Sequence, residues 1–295
     1  MSSKKDIKTR IKAVQNTQKV TKAMKLISII KSKQLQNLVN NAKEYNQQIA
    51  SLLHKTLANA DLENIDTDKL PNILKKKPPA GHCLIVISSD RGLCGPYNSA
   101  LFKALEAHIK NIKKPIKLIL FGNKAISYAQ RNLGHCEILQ KYGHLPVNPP
   151  ASLAIEVFSQ IEKAYSKGEI TNVEIFYSRY VSMVNSQVTN TVLLPFQAFN
   201  QPKAENLNST PEIIFEPNPI QLLETLIPLY AQNQIYSAML SGRASELAHR
   251  VNAMTAATDN AKALINQLTL SYNKARQASI TQEISEIVAG AESIA

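Results

Sequence analysis

The sequence predicts an α/β domain inserted between two long terminal helices. Three observations carry that prediction. Residues 1–70 contain neither glycine nor proline, and the same is true of residues 243–289 near the other end. Between these ends, short and continuously apolar runs alternate with amphipathic stretches. The C-terminal stretch also repeats its apolar residues with a heptad period, the signature of a helix that packs along another helix.

The opening segment meets its first breaker at Pro71, just ahead of "KKKPPAG". It is expected to be one long helix, with room for a break. Ile7, Ile11, Val14, Val20, Met24, Ile27, Leu38, Tyr45, Ile49 and Leu52 follow spacings of 3, 4 and 7 that suit a helix face. Nine lysines (Lys4, Lys5, Lys8, Lys12, Lys19, Lys22, Lys25, Lys31 and Lys33) and Arg10 crowd its first half, where Asp6 is the only acid before Glu44.

The middle segment begins with "CLIVIS", a short apolar strand, followed by the loop "SDRGLCGPYN" and the helix "SALFKALEAHIKN". "IKLILFG" is a second apolar strand, and "NKAISYAQRNLG" and "ASLAIEVFSQIEKAYSKG" are further helices. Continuous apolar strands that alternate with helices are buried on both faces, which argues for a mainly parallel, Rossmann-like sheet. "VEIFYSRYV" and "SQVTNTVLLPF" alternate more strictly and are expected to pair antiparallel at one edge. Residues 197–219 are rich in Pro and Asn and are expected to be loop, with "EIIFE" as a short strand inside it.

The third segment starts near Pro219. After Gly242 the next glycine is Gly290, leaving 47 residues without one, roughly 70 Å of helix at about 1.5 Å per residue. Leu240, Ala244, Leu247, Val251, Met254, Thr258, Ala261, Ile265, Leu268, Tyr272 and Ala275 alternate steps of 4 and 3, a left-handed coiled-coil seam. Its small residues would let a partner helix approach closely. The N-terminal helix, paired antiparallel, is the expected partner. A homodimeric coiled coil is the competing arrangement, and it suits less well two halves that differ so much in charge. The expected organisation is a coiled-coil helix over 1–70, an inserted α/β domain over 71–218 and a second coiled-coil helix over 219–295.

A net charge of +12 in 295 residues points to an acidic partner, whether nucleic acid, anionic lipid or an acidic protein surface. Cys83, Cys94 and Cys136 form no CxxC, and no Cys/His pair has zinc spacing, so three reduced thiols are expected. The six histidines share no HxxxH or HxH spacing; neither a metal nor a cofactor is expected. No stretch approaches the roughly 18 apolar residues of a membrane span, and the N-terminus lacks an apolar signal core.

No catalytic constellation emerges. "SSDRGLCGPYN" occupies the strand-to-helix position of nucleotide-binding loops, but it is neither GxGxxG nor GxxxxGK[ST]. A tight connection in which Gly92 and Gly95 supply unusual backbone angles explains it as well. Three classes of function therefore stand on the residues alone. One is a structural coiled-coil protein. The second is an enzyme using Asp90, Arg91 and Cys94 at a strand end. The third is a basic coiled-coil nucleic-acid binder, against which count the scatter of its cations and the scarcity of aromatics.

Three separated blocks resemble the γ subunits of F-type ATP synthases. "IKTRIKAVQNTQKVTKAMKLIS" resembles their N-terminal helix, "SSDRGLCGPYNSALF" their central signature, and "MTAATDNAKALINQLTLSYNKARQASITQEISEIVAG" their C-terminal signature. The resemblance covers the whole chain. It implies a rotor shaft standing inside a ring of three α and three β subunits, with the inserted domain as a foot on the ε subunit and the membrane c-ring. It implies that ion flow through the c-ring drives ATP synthesis on the β subunits, and that this subunit is not itself an enzyme. It places the protein at the cytoplasmic face of a bacterial inner membrane as a peripheral subunit.

The resemblance also implies contacts. Arg276 and Gln277 match a pair that touches a β catch loop, and Thr281 and Glu283 match neighbours coupled to the same region. Met24 matches a shaft residue facing an acidic β loop; Lys25 stands beside it where some members carry an acid. Glu216, in "FEPNP", is a candidate contact to the c-ring or ε. Pro96 departs from the family's usual small residue and restricts the loop. The chloroplast-type regulatory insertion with paired cysteines is missing.

Overall fold

The structure is a computed structural model that describes residues 4–59, 73, 78, 80–196, 216 and 218–292. The expected "EIIFE" strand lies outside the described residues apart from Glu216, as does most of the loop expected over 197–219. Among the described residues ten elements follow in order: α1 (Lys4–Asn59), β1 (Gly81–Ile87), α2 (Tyr97–Ile109), β2 (Ile116–Phe121), α3 (Asn123–Asn132), β3 (Glu137–Tyr142), α4 (Ala151–Ser166), β4 (Ile170–Tyr180), β5 (Ser186–Leu194) and α5 (Pro219–Glu292). The chain forms two compact units, Met1–Ile29 with Arg250–Ala295, and Ile30–His249.

In the larger unit the strand order is β3-β2-β1-β4-β5. The first four strands are parallel and β5 runs antiparallel to β4. The expected antiparallel pair is therefore present, with β5 as the edge and β4 also joined to β1. β3 was not anticipated. Only two of its residues are aliphatic, and as the opposite edge it is mostly half-buried, so "EILQKY" shows neither the run nor the alternation of a strand.

The sheet separates two cores. Leu84, Val86, Leu118 and Leu120 face α2 and α3, meeting Leu101, Leu105, Ala125 and Ala129. Cys83, Ile85, Ile87, Ile119 and Phe121 face the other way, onto Val157, Phe158 and Ile161 of α4, Ile235 and Met239 of α5 and Leu53 of α1. Strand periodicity of two produces this division directly. The inserted sheet thus shares its core with the terminal helices.

Within the same unit α1 and α5 run antiparallel. Leu35 and Ala42 cluster with Leu240, Ala244 and Leu247, while the later Asn46 reaches back to the earlier Asn233 at 2.6 Å. α5 starts cleanly: the Asn218 side chain accepts from the Gln221 N–H at 2.9 Å, with Pro219 in the first turn where its missing N–H costs nothing.

In the smaller unit the two helices meet at Thr21 and Thr258, whose hydroxyl oxygens lie 2.8 Å apart. Counted over both units, all eleven seam positions anticipated on α5 are buried or half-buried. On α1 the structure corrects the expected face. Val20 and Ile27 are more than half exposed, whereas Thr21, Ser28 and Ser32 are buried. The buried and half-buried set of Ile7, Ile11, Val14, Gln18, Thr21, Lys25, Ser28, Ser32, Leu35, Val39, Ala42, Asn46, Ile49, Leu53 and Thr56 is a strict heptad seam. Its middle is small and polar, so hydrophobicity alone could not trace it.

Candidate functional site

The "SSDRGLCGPYN" loop leaves β1 at the point where the strand order reverses, the usual ligand crevice of an open parallel sheet. Here the crevice is occupied by the chain itself. A Cβ built on Gly242 of α5 would lie 3.0 Å from Ile87, and the buried Tyr97 hydroxyl donates to the Gly242 carbonyl at 3.0 Å. A helix seated this closely on the end of β1 leaves no room there for a dinucleotide.

The loop residues act as fasteners. The Ser88 hydroxyl donates to the Phe121 carbonyl at 3.0 Å and accepts from the Ala125 N–H at 2.8 Å. The Asp90 carboxylate accepts from the backbone of Asn123 at 3.4 Å and of Leu145 at 3.3 Å, and it lies 3.7 Å from the Arg243 guanidinium. Arg243 is buried and also pairs with the buried Glu246. One carboxylate thereby ties the ends of three parallel strands to α5. Cys94 is buried, with the Asn98 amide 3.3 Å from its sulfur and the Arg91 carbonyl 3.8 Å away. Only part of the expected glycine geometry is found: Gly95 has φ 55°, but the other left-handed residue is Leu93 at φ 63°, not Gly92. Pro96 caps α2 with φ −80°.

The anticipated contact residues fall into two groups. Met24 and Lys25 are half-buried in α1, with Lys25 on the heptad seam itself. Arg276, Gln277, Thr281 and Glu283 are exposed on α5, where burial fades; from Ile280 to Ala291 every described side chain is exposed. Thr281 donates to the Gln277 carbonyl at 3.0 Å and Glu283 accepts from Ser279 at 3.0 Å. Glu216 is exposed. The lysines of the first half of α1, apart from Lys25, are exposed as well, as is Arg10.

The whole chain resembles known proteins as well. The family model described as ATP synthase matches residues 3–294. The chain is 37% identical to the ATP synthase gamma chain of Acaryochloris marina and 36% identical to that of Desulfitobacterium hafniense, in each case over 100% of both chains. The chain belongs to the ATP synthase gamma chain family. Its fold agrees with the gamma-chain assignment. The central stalk and c-ring structure of the Tetrahymena thermophila mitochondrial ATP synthase matches 81% of this chain and 99% of that one, with a TM-score of 0.60 at 24% identity. A chain of the Euglena gracilis mitochondrial ATP synthase matches 89% of this chain and 94% of its own length, with a TM-score of 0.57 at 18% identity.

For a gamma chain the central signature gains a structural explanation: its polar residues hold strand ends and α5 together. Two clusters escaped sequence reasoning. Arg243 and Glu246 gave no signal because their partner Asp90 is remote in sequence. His82, His108 and Glu174 come from three elements, and their donor atoms lie within 4.8 Å of one another. No short-range spacing could have announced that convergence.

Proposed function

We propose that this gamma chain is the central-stalk rotor of an F-type ATP synthase. Residues 1–70 and 219–295 form the shaft, one copy to three α and three β subunits, and residues 71–218 form the foot that holds the ε subunit and the c-ring. Ion flow turns the c-ring and foot, and the asymmetric shaft drives each β site in turn through states of different nucleotide affinity. The observation that carries this reading is the full-length relationship to gamma chains.

The surface chemistry of the shaft supports it. A rotor that bound one orientation too tightly would stall. On α1 and α5 the hydroxyls of Thr9, Thr17, Thr255, Thr269, Ser271 and Thr281 donate to carbonyls four residues back on their own helix. They offer a surrounding ring few strong directional bonds. The exposed cations of α1 attract acidic β surface without locking to it, since exposed ion pairs are worth only about 0–1 kcal/mol each.

Arg276 and Gln277 reach a β loop, Thr281 and Glu283 the same region, and Met24 an acidic β surface. Lys25 extends its ammonium from a half-buried stem to join Met24. Glu216 contacts the c-ring or ε. The chain performs no catalytic step of its own. It is a peripheral subunit at the cytoplasmic face of a bacterial inner membrane; among the described residues no helix is long and apolar enough to cross one.

Reconstitution tests the reading. The chain is mixed with cognate α and β subunits and the complex is sized and assayed. One copy per hexamer with stimulated ATP hydrolysis is expected. Failure to associate, with a stable homodimer instead, overturns it.

A further inference from the structure

On the α2/α3 side of the sheet, at the edge opposite Asp90, a carboxylate sits between two imidazoles. Glu174 of β4 places one oxygen 2.9 Å from His82 Nε2 of β1 and the other 2.9 Å from His108 Nε2 of α2. The His82 and Glu174 side chains are each 9% exposed, and that of His108 is 29% exposed. Three features separate this cluster from an ordinary buried ion pair. First, each Nε2 faces a Glu174 oxygen at 2.9 Å without an N–H well aligned on it. An imidazolium paired with a carboxylate would direct its N–H along the ring plane at the oxygen. Second, the three donors converge within 4.8 Å, so a closing of a few tenths of an ångström brings them inside the roughly 4.0–4.4 Å that two ligand bonds of about 2.0–2.2 Å can span. Third, the Glu174 oxygen that faces His108 also accepts from the Asn190 amide of β5, the kind of outer support that orients a ligating carboxylate.

We propose that His82, His108 and Glu174 form a binding site for a divalent transition metal, with Zn²⁺ the best match. Two borderline imidazoles and one harder carboxylate make a set that zinc accepts, and they would leave one coordination position for water on the partly exposed His108 side. The ion would pin β1, β4 and α2 together at the N-terminal edge of the parallel strands. Its role is structural, and it stands independently of the rotary reading.

The test uses the full chain. Protein stripped with EDTA is incubated with excess ZnCl₂, passed over a desalting column and analysed for metal. About one zinc per chain is expected, together with a rise in apparent Tm of about 5 °C or more, since an ion bound only by the folded state stabilises it by mass action. His108→Ala, on the partly exposed helix, and Glu174→Gln, which keeps the side-chain shape, should each retain less than about a tenth of that zinc while remaining folded by circular dichroism. Co²⁺ in place of zinc should give visible ligand-field bands without the near-ultraviolet charge-transfer band of a thiolate. Absence of retained zinc in the parent overturns the proposal. So does retention by both variants equal to that of the parent, or a thiolate band, which would place the ion on a cysteine.

Discussion

Thr21 and Thr258, 237 residues apart in the chain, share a hydroxyl–hydroxyl hydrogen bond of 2.8 Å. Each hydroxyl also lies within reach of a carbonyl of its own helix, Thr21 of Gln18 at 3.0 Å and Thr258 of Met254 at 2.7 Å, and the one that donates across the seam gives up its own carbonyl. Two threonines can meet this closely only where the seam is narrow. A small polar pair here sets the register of the two helices more sharply than two leucines would, because a slip of one step breaks the bond.

Widening the seam at that point should therefore cost stability. Thr258→Leu adds bulk where the helices approach and deletes the shared bond, with an expected loss of about 1–3 kcal/mol. Thr258→Ser keeps the hydroxyl and should stay within about 0.5 kcal/mol of the parent. Thermal unfolding of the two variants side by side checks the difference.

Arg276→Ala combined with Gln277→Ala should impair turnover without affecting the fold. Both side chains are exposed, so the melting temperature should not move. Loss of a charge-assisted contact of about 1.5–3 kcal/mol corresponds to a roughly tenfold or greater drop in coupled ATP synthesis. The exposed Lys31, changed to Ala, serves as the control and should remain near native. Equal and near-native synthesis by both variants would count against the assigned contact.

Arg243→Met should be among the most destabilising single changes in the protein. It strips the cation from two buried carboxylates, Asp90 and Glu246, and an uncompensated buried charge costs about 3–5 kcal/mol. Urea unfolding should show a clear fall in midpoint, and Glu246→Gln a smaller one. A midpoint unchanged by Arg243→Met would mean that the fastening role of Asp90 is misassigned.

Stability should also decline in mild acid through His249. Its ring lies 2.7 Å from the Ser186 hydroxyl and edge-on to Tyr97, and burial lowers its pKa below the usual histidine value of 6.5. Between that depressed value and 6.5 the unfolded chain binds more protons than the folded one. Folding free energy therefore weakens as pH falls through this window and levels off below it. His249→Gln should flatten that part of the curve of unfolding midpoint against pH; an unchanged slope would assign it to other groups.

Much of the architecture was legible in local pattern. "CLIVIS" and "IKLILFG" announced buried parallel strands because both faces of such strands are covered. Leu240 through Ala275 announced a seam because the heptad period survives even where Ala and Thr replace Leu. β3 was not legible, since an edge strand needs no apolar face. The seam of α1 was misread because Thr21, Ser28 and Ser32 carry it, while the exposed Val20 and Ile27 imitate a core stripe.

The sequence by itself determined where helices could run, where they stop and with what period they pack, because breakers, caps and hydrophobic spacing act over a few residues. Family membership was equally legible, in three blocks spread along the chain. Only the tertiary structure decided which strands are neighbours, that α5 closes the crevice at the end of β1, and that Asp90 meets Arg243. It alone brought Tyr97 to the Gly242 carbonyl across 145 residues, and gathered His82, His108 and Glu174 around one point. Such meetings depend on how the whole sheet is ordered and covered, and no spacing along the chain encodes that order.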